Sequence, residues 1–193
     1  GLLYSLPNLT VFSPGSPMDV RNIINAAYKI DGPVYVRLGT NKEAEIYSKE
    51  YDFKVGKAEV ISEGNDISII VTGSIIADVL EAVKRLEEKG IHARVINVHT
   101  LKPFDKECVI RAANETKSVY TVEEHTTVGG FGSIVADALA ESGVAVKFRK
   151  IGLDGCFAKG YGTPGEVKEM NQLDAESIYN IIWEREGKRD GLY

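Results

Sequence analysis

Ile67-Ser-Ile-Ile-Val-Thr72, followed by Ser74 to Lys89 and closed by Gly90, decides the fold. The first six residues keep apolar side chains on both faces, the pattern of a strand covered on two sides rather than one. After them Ile75, Ile76, Val79, Leu80, Val83 and Leu86 fall on one face of a helix, and Gly90 supplies its stop. Ala93–Val98 is then a second apolar strand, so the chain reads strand, helix, strand.

The same alternation extends downstream. Pro103 and Asp105 open a helix through about Glu115, Ser118–Val122 is a strand, and a glycine loop leads into a helix from about Ser133 to Ser142-Gly143. Val144–Ile151 is the next strand. An irregular glycine-rich segment follows, and Asp174 caps a last helix with Ala175, Ile178, Ile181 and Ile182 inward. Upstream, Phe53–Ile61 alternates like a strand, and Thr40 to Lys49 reads as a polar linker. Leu9–Ser13, a helix capped by Ser16-Pro17-Met18-Asp19 with a Val20, Ile23, Ile24, Ala27 stripe, and Val34–Leu38 form a strand-helix-strand unit too short to be a domain alone. The expected architecture is α/β, a three-layer sandwich around a mostly parallel sheet, preceded by that partial unit.

Val122-Glu-Glu-His-Thr-Thr-Val-Gly-Gly-Phe-Gly-Ser-Ile-Val-Ala-Asp137 carries the chemistry most worth testing. A glycine loop between strand and helix is where α/β proteins hold phosphates, yet the dinucleotide fingerprint needs a small third residue where Val135 stands. The lysine and hydroxyl residue of a P-loop are also missing, and Gly155-Cys-Phe-Ala-Lys-Gly160 places its lysine before the second glycine. Both loops read as glycine turns. Glu123, Glu124 and His125 stand at the carboxyl end of a strand, where open α/β sheets bind ligands; the plainer reading has the carboxylates capping the turn and the histidine in water or at a subunit contact. Arg37 is a charge inside an apolar strand, either paired with a carboxylate at an interface or touching substrate.

Composition removes several classes. Net charge is −5 with no basic cluster, which excludes a nucleic-acid or anionic-membrane surface. The apolar runs are too short to span a bilayer. Cys108 and Cys156 give no disulfide framework, which predicts a reducing, cytoplasmic setting. His92 and His99, seven apart on one predicted strand, face opposite ways, and no zinc cluster emerges. The opening Gly1-Leu2-Leu3, without methionine, predicts a processed or truncated product.

Leu6-Pro-Asn-Leu-Thr-Val-Phe-Ser-Pro14 and Asp31-Gly-Pro-Val-Tyr-Val-Arg-Leu-Gly39 resemble the end of the pyrimidine-binding domain of transketolases. Gly56-Lys-Ala, Glu63-Gly-Asn-Asp-Ile-Ser-Ile-Ile-Val-Thr-Gly73, Val98-His-Thr-Leu-Lys-Pro-Phe-Asp105, Val122-Glu-Glu-His125 with Gly129-Gly-Phe-Gly132, Gly152-Leu-Asp-Gly-Cys-Phe157 and Leu173-Asp-Ala-Glu-Ser-Ile178 are similar, in this order, to the transketolase C-terminal domain. On this resemblance residues 1–50 are the tail of the pyrimidine-binding domain with a linker, and 51–193 are the C-terminal domain.

The resemblance implies a thiamine-diphosphate enzyme, of the split bacterial or archaeal kind, that moves a two-carbon ketol unit between sugars. In that family a separate N-terminal domain holds the diphosphate and magnesium, and an early glutamate of the pyrimidine domain activates the ring. Neither segment is in this chain, so the expectation is no bound cofactor, no catalytic residue and no turnover alone. The implied partners are an N-terminal transketolase segment or subunit and a second copy in a homodimer. Arg37, Thr40, Lys42, Glu124 and His125 are the substrate or interface candidates. Transketolases commonly place a sugar-phosphate arginine where Thr40 stands; a hydroxyl cannot replace that charged fork, which points toward specialised sugar biosynthesis. The competing readings are a stand-alone regulatory or interaction domain, or part of a deoxyxylulose-phosphate synthase or 2-oxo-acid dehydrogenase beta chain.

Overall fold

A computed structural model describes residues 1–39 and 43–187. Its elements run β1 (Thr10–Phe12), α1 (Pro17–Ala27), β2 (Val34–Val36), β3 (Glu59–Ser62), β4 (Ile67–Val71), α2 (Ile76–Glu87) and β5 (Ala93–Asn97). They continue with β6 (Thr100–Lys102), α3 (Lys106–Glu115), β7 (Ser118–Thr126), α4 (Phe131–Ser142), β8 (Lys147–Leu153), α5 (Pro164–Met170) and α6 (Ala175–Glu186).

The main sheet has the order β3-β5-β4-β7-β8. Its last four strands are parallel, and β3 is antiparallel to β5. Every residue of β4 is buried, as a strand with helices on both faces requires. Alternation sends Ile67, Ile69 and Val71 into a core with α2 and α6, where Ile76, Val79, Leu86, Ile178 and Ile182 meet them. Ile70 instead joins Ile96, Val109, Val119, Val135 and Leu139 beneath α3 and α4. Each such side chain contributes about 1.5–3 kcal/mol by leaving water, which makes these two cores the main source of cohesion. This is the three-layer α/β sandwich read from the sequence.

Caps match the residue chemistry. Ser16, Asp105, Thr163 and Asp174 accept backbone N–H groups at their helix starts, and Gly143 closes α4 at φ 71°.

Several sequence expectations need correction. Phe53–Ile61 is not one strand: only Glu59–Ser62 pairs, because Tyr51 and Phe53 turn inward to stack near His99. β7 runs to Thr126, past the expected Val122, and α4 starts at Phe131 rather than Ser133. The α1 stripe is narrower than its spacing suggests. Ile23 is buried with Met18 and Asp19, while Ile24 is half exposed. In α6, Ile178 and Ile182 are buried, whereas Ala175 and Ile181 are only partly so. Arg37 lies just beyond β2 and is exposed rather than inside a strand. His92 and His99 flank β5 instead of sharing it, and His99 is buried.

Two elements had no periodic signal. The three residues of β6 pair antiparallel with β1, completing a small sheet of order β2-β1-β6 that ties the N-terminal unit to the rest. Helix α5 buries none of its residues and so shows no apolar stripe.

Candidate functional site

Parallel pairing aligns the carboxyl ends of the main strands. Val71 lies opposite both Asn97 and Val122, and Val122 opposite Ile151. Just beyond that line, where the small sheet meets β7 and the glycine loop, a cleft of about 700 Å³ opens. Ser13, Tyr35, Arg37, Glu124, His125 and Phe131 are on its wall. Among the described lining residues Arg37 is the one lysine or arginine.

Glu123, Glu124 and His125 do not act as one cluster. Successive strand side chains point to opposite faces, so Glu123 and Glu124 part company. Glu123, almost fully buried, turns into the start of α4 and accepts the backbone N–H groups of Phe131 at 2.6 Å and Gly132 at 2.7 Å. Burial pushes its carboxyl up, and those two N–H bonds oppose the rise. The N-terminal end of α4 is thus already filled by a carboxylate of the chain itself. A phosphate group does not fit there. Nor, among the described residues, do three or more His, Cys, Asp or Glu side chains stand close enough to hold a metal ion. Among the described residues, the start of α4 is therefore not a diphosphate cradle.

The glycines keep this closure tight. A Cβ on Gly132 would stand 2.7 Å from Thr121 Oγ1 and 2.8 Å from Lys150 Cδ, and one on Gly130 would overlap the Thr126 carbonyl and the Glu123 carboxylate. Lys150 Nζ donates to Thr127 O and Ser133 Oγ, both at 3.0 Å, and holds the loop from the other side.

Glu124 points the opposite way. Its Oε2 accepts from Ser74 Oγ at 3.0 Å and faces Arg37 Nη1 at 3.8 Å, while its Oε1 lies 3.3 Å from Lys168 Nζ. Lys168, on α5, also donates to Asp78 Oδ2 at 2.6 Å. Burial works against the Lys168 charge, but Asp78 and Glu124 outweigh it and hold its pKa above the ordinary lysine value. The structure thus joins the predicted Arg37 and Glu124 into one charged chain, Arg37–Glu124–Lys168–Asp78. His125 lines the same cleft with its ring exposed, its Nδ1 3.2 Å from Thr126 O. Thr40 and Lys42 lie outside the described residues. Lys168, Asp78 and Ser74 were missed in sequence. The signal within reach was the Thr163-Pro-Gly-Glu166 capping box, which marks α5 and hence Lys168 on it.

A second polar centre joins the N-terminal unit to the sandwich. Asp19, wholly buried, accepts from Tyr51 Oη at 2.6 Å, Asn97 Nδ2 at 2.9 Å and Gly15 N at 2.9 Å. Asn97 Nδ2 also reaches Tyr47 Oη at 2.8 Å.

The arrangement of a short N-terminal unit beside a parallel sandwich has counterparts among known proteins. The family model described as transketolase, C-terminal domain, matches residues 56–178. The chain belongs to the transketolase C-terminal domain family. Among its relatives, one of the subunits of the apulose-4-phosphate transketolase of Actinobacillus succinogenes is 36% identical over 94% of this chain and 58% of its own length. The 6-deoxy-6-sulfo-D-fructose transketolase subunit of Clostridium sp. strain MSTE9 is 37% identical over 95% of this chain and 56% of that protein. A solved split-gene transketolase, described as an inactive beta4 tetramer, superposes with a TM-score of 0.88 at 38% identity, covering 95% of this chain and 59% of the other. The chain therefore spans just over half the length of these relatives. Its transketolase likeness also reaches beyond the C-terminal domain into the β1-α1-β2 unit, and the cleft lies between those two parts. No helix among the described residues is long and apolar enough to cross a membrane.

Proposed function

We propose that this chain is the C-terminal part of a transketolase-like enzyme that moves a two-carbon ketol unit between sugars, working with an N-terminal transketolase segment or subunit. The observation that carries this reading is the match to transketolase subunits over 94–95% of the chain, through both the N-terminal unit and the C-terminal domain. In the complete enzyme thiamine diphosphate with magnesium supplies the carbanion chemistry, held by the partner segment and not by this chain. The chain's own contribution is to complete the subunit, support a dimer in the cytoplasm, and present Arg37, Glu124 and His125 to the cleft. Alone it does not turn over. Residues 1–50 act as the pyrimidine-domain tail and linker, and 51–193 as the C-terminal domain.

Two relatives are named for sugars bearing a phosphate and a sulfo group. Arg37 on the cleft wall suits a terminal oxyanion of that kind. The full-length chain assembled with its N-terminal partner, thiamine diphosphate and magnesium is expected to transfer a ketol unit from at least one of a panel of ketose donors to an aldose. Absence of transfer from every pair overturns the reading, and transfer by this chain alone overturns the division of labour.

A further inference from the structure

Helix α5 has no fully buried residue, and its one partly covered apolar side chain is Val167. Its attachment is otherwise polar. Asn171 ties the segment to itself through Lys159, donating to its carbonyl at 3.0 Å and accepting its N–H at 2.8 Å. Lys168, the one lysine of the helix, reaches inward, 18% exposed, to a site between Asp78 and Glu124. Glu124, 20% exposed, is in turn the carboxylate nearest Arg37.

The distances rank the partners of Glu124. Ser74 at 3.0 Å and Lys168 at 3.3 Å satisfy it at close range, whereas Arg37 at 3.8 Å is beyond direct hydrogen bonding and is 43% exposed toward the cleft. A cation already seated on a carboxylate weakens its hold on a second cation. Without Lys168, Glu124 is left with one neutral donor, and Arg37 is close enough to close on it as a forked pair.

We propose that Lys168 is a positioning residue for substrate recognition: by occupying Glu124 it keeps the Arg37 guanidinium free for the tetrahedral oxyanion, phosphate or sulfonate, of a sugar substrate in the cleft. This rests on the reading of that cleft as the substrate site. It also gives α5 a role that its lack of fully buried residues does not explain.

The test uses the full-length chain assembled with its N-terminal partner and compares a phosphorylated, a sulfonated and an uncharged acceptor. Protection of the melting temperature by inorganic phosphate and by sulfate provides a second readout that needs no turnover. Lys168→Met is expected to raise KM for the anionic acceptors about tenfold while kcat changes less than about twofold, and to leave the uncharged acceptor unaffected. Phosphate and sulfate protection should weaken in parallel. Lys168→Arg should behave as wild type. The Lys168→Met/Glu124→Gln double variant is decisive, because neutralising the carboxylate removes the competitor and should return most of the affinity. A purely structural role predicts the opposite, a double variant worse than either single one. Equal damage to charged and uncharged acceptors, or no recovery in the double variant, overturns the proposal. Arg37→Met separates it from the underlying reading. If that variant alters neither anionic KM nor phosphate protection, the cleft assignment fails. If it weakens both while Lys168→Met weakens neither, only the role of Lys168 fails.

Discussion

Glu123 Oε2 accepts the backbone N–H of Phe131 at 2.6 Å, and the partner bond to Gly132 is 2.7 Å. The strand end and the helix start are therefore fastened by one buried carboxylate, which takes the place that a phosphate holds in nucleotide-binding loops. Removing it strands two N–H groups in a dry site. Glu123→Ala is expected to cost about 2–4 kcal/mol, from two lost charge-assisted bonds and the helix-end charge. Chemical denaturation checks this. Added formate, small enough to fill the vacated place, should raise the melting temperature of Glu123→Ala more than that of wild type, and equal shifts would show that the helix end is not an anion site.

The glycines around this bond are not equivalent to others in the chain. A methyl group at Gly130 runs into the backbone oxygen of Thr126, which cannot step aside, whereas Gly165 in α5 has open space around its Cβ position. Gly130→Ala should destabilise by about 3 kcal/mol or more through overpacking. Gly165→Ala should stabilise by about 0.5 kcal/mol, since alanine suits a helix better. Urea midpoints of the two variants give the comparison, and a similar sign for both would contradict the geometry.

The sandwich was legible because β4 is apolar on both faces and α2 keeps its stripe, signals that lie within a few residues of each other. The turn reading of the glycine loop was legible for the same reason: Glu123 and Phe131 are only eight residues apart. Distance along the chain hid the rest. Lys168 meets Asp78 across 90 residues, from a helix whose lack of a buried face leaves no period to find. Asp19 looked like an acid in the first turn of a helix, which it is. That it also receives Tyr51 from 32 residues away and Asn97 from 78 is a property of the folded chain alone. Arg37 in sequence resembled a buried charge because Val34-Tyr-Val precedes it; β2 ends one residue earlier and leaves it at the cleft.

The Asp19 centre should carry much of the attachment between the N-terminal unit and the sandwich. Three donors from separate segments converge on a carboxylate with no exposure to water. Tyr51→Phe, which removes one charge-assisted bond and little volume, should cost about 1.5–3 kcal/mol. Asp19→Ala leaves several donors unpaired and should cost about 3–5 kcal/mol. Hydrogen exchange locates the effect: protection should fall in β1 and α1 before it falls in β4. Uniform loss across both sheets would mean that the centre does not act as a local fastening.

His99 makes stability depend on pH in the mildly acidic range. It is 1% exposed, its ring lies 4.6 Å from that of Phe53, and its Nδ1 is 2.9 Å from Thr100 Oγ1. Burial lowers its pKa from 6.5 to about 4, with the nearby Asp19 charge opposing the drop. The folded protein therefore keeps the ring neutral in a range where the unfolded chain takes up a proton. The stabilisation is complete above pH 6.5 and is lost as pH falls toward 4. Across that interval the linkage amounts to ~3 kcal/mol, and its slope is positive with rising pH because the unfolded state binds the extra proton. His99→Gln, which cannot titrate, should flatten the stability profile between these limits while lowering stability at pH 7 through imperfect packing. Guanidinium unfolding at half-unit pH steps measures both profiles. Parallel curves for the two proteins would assign the acid sensitivity to other groups.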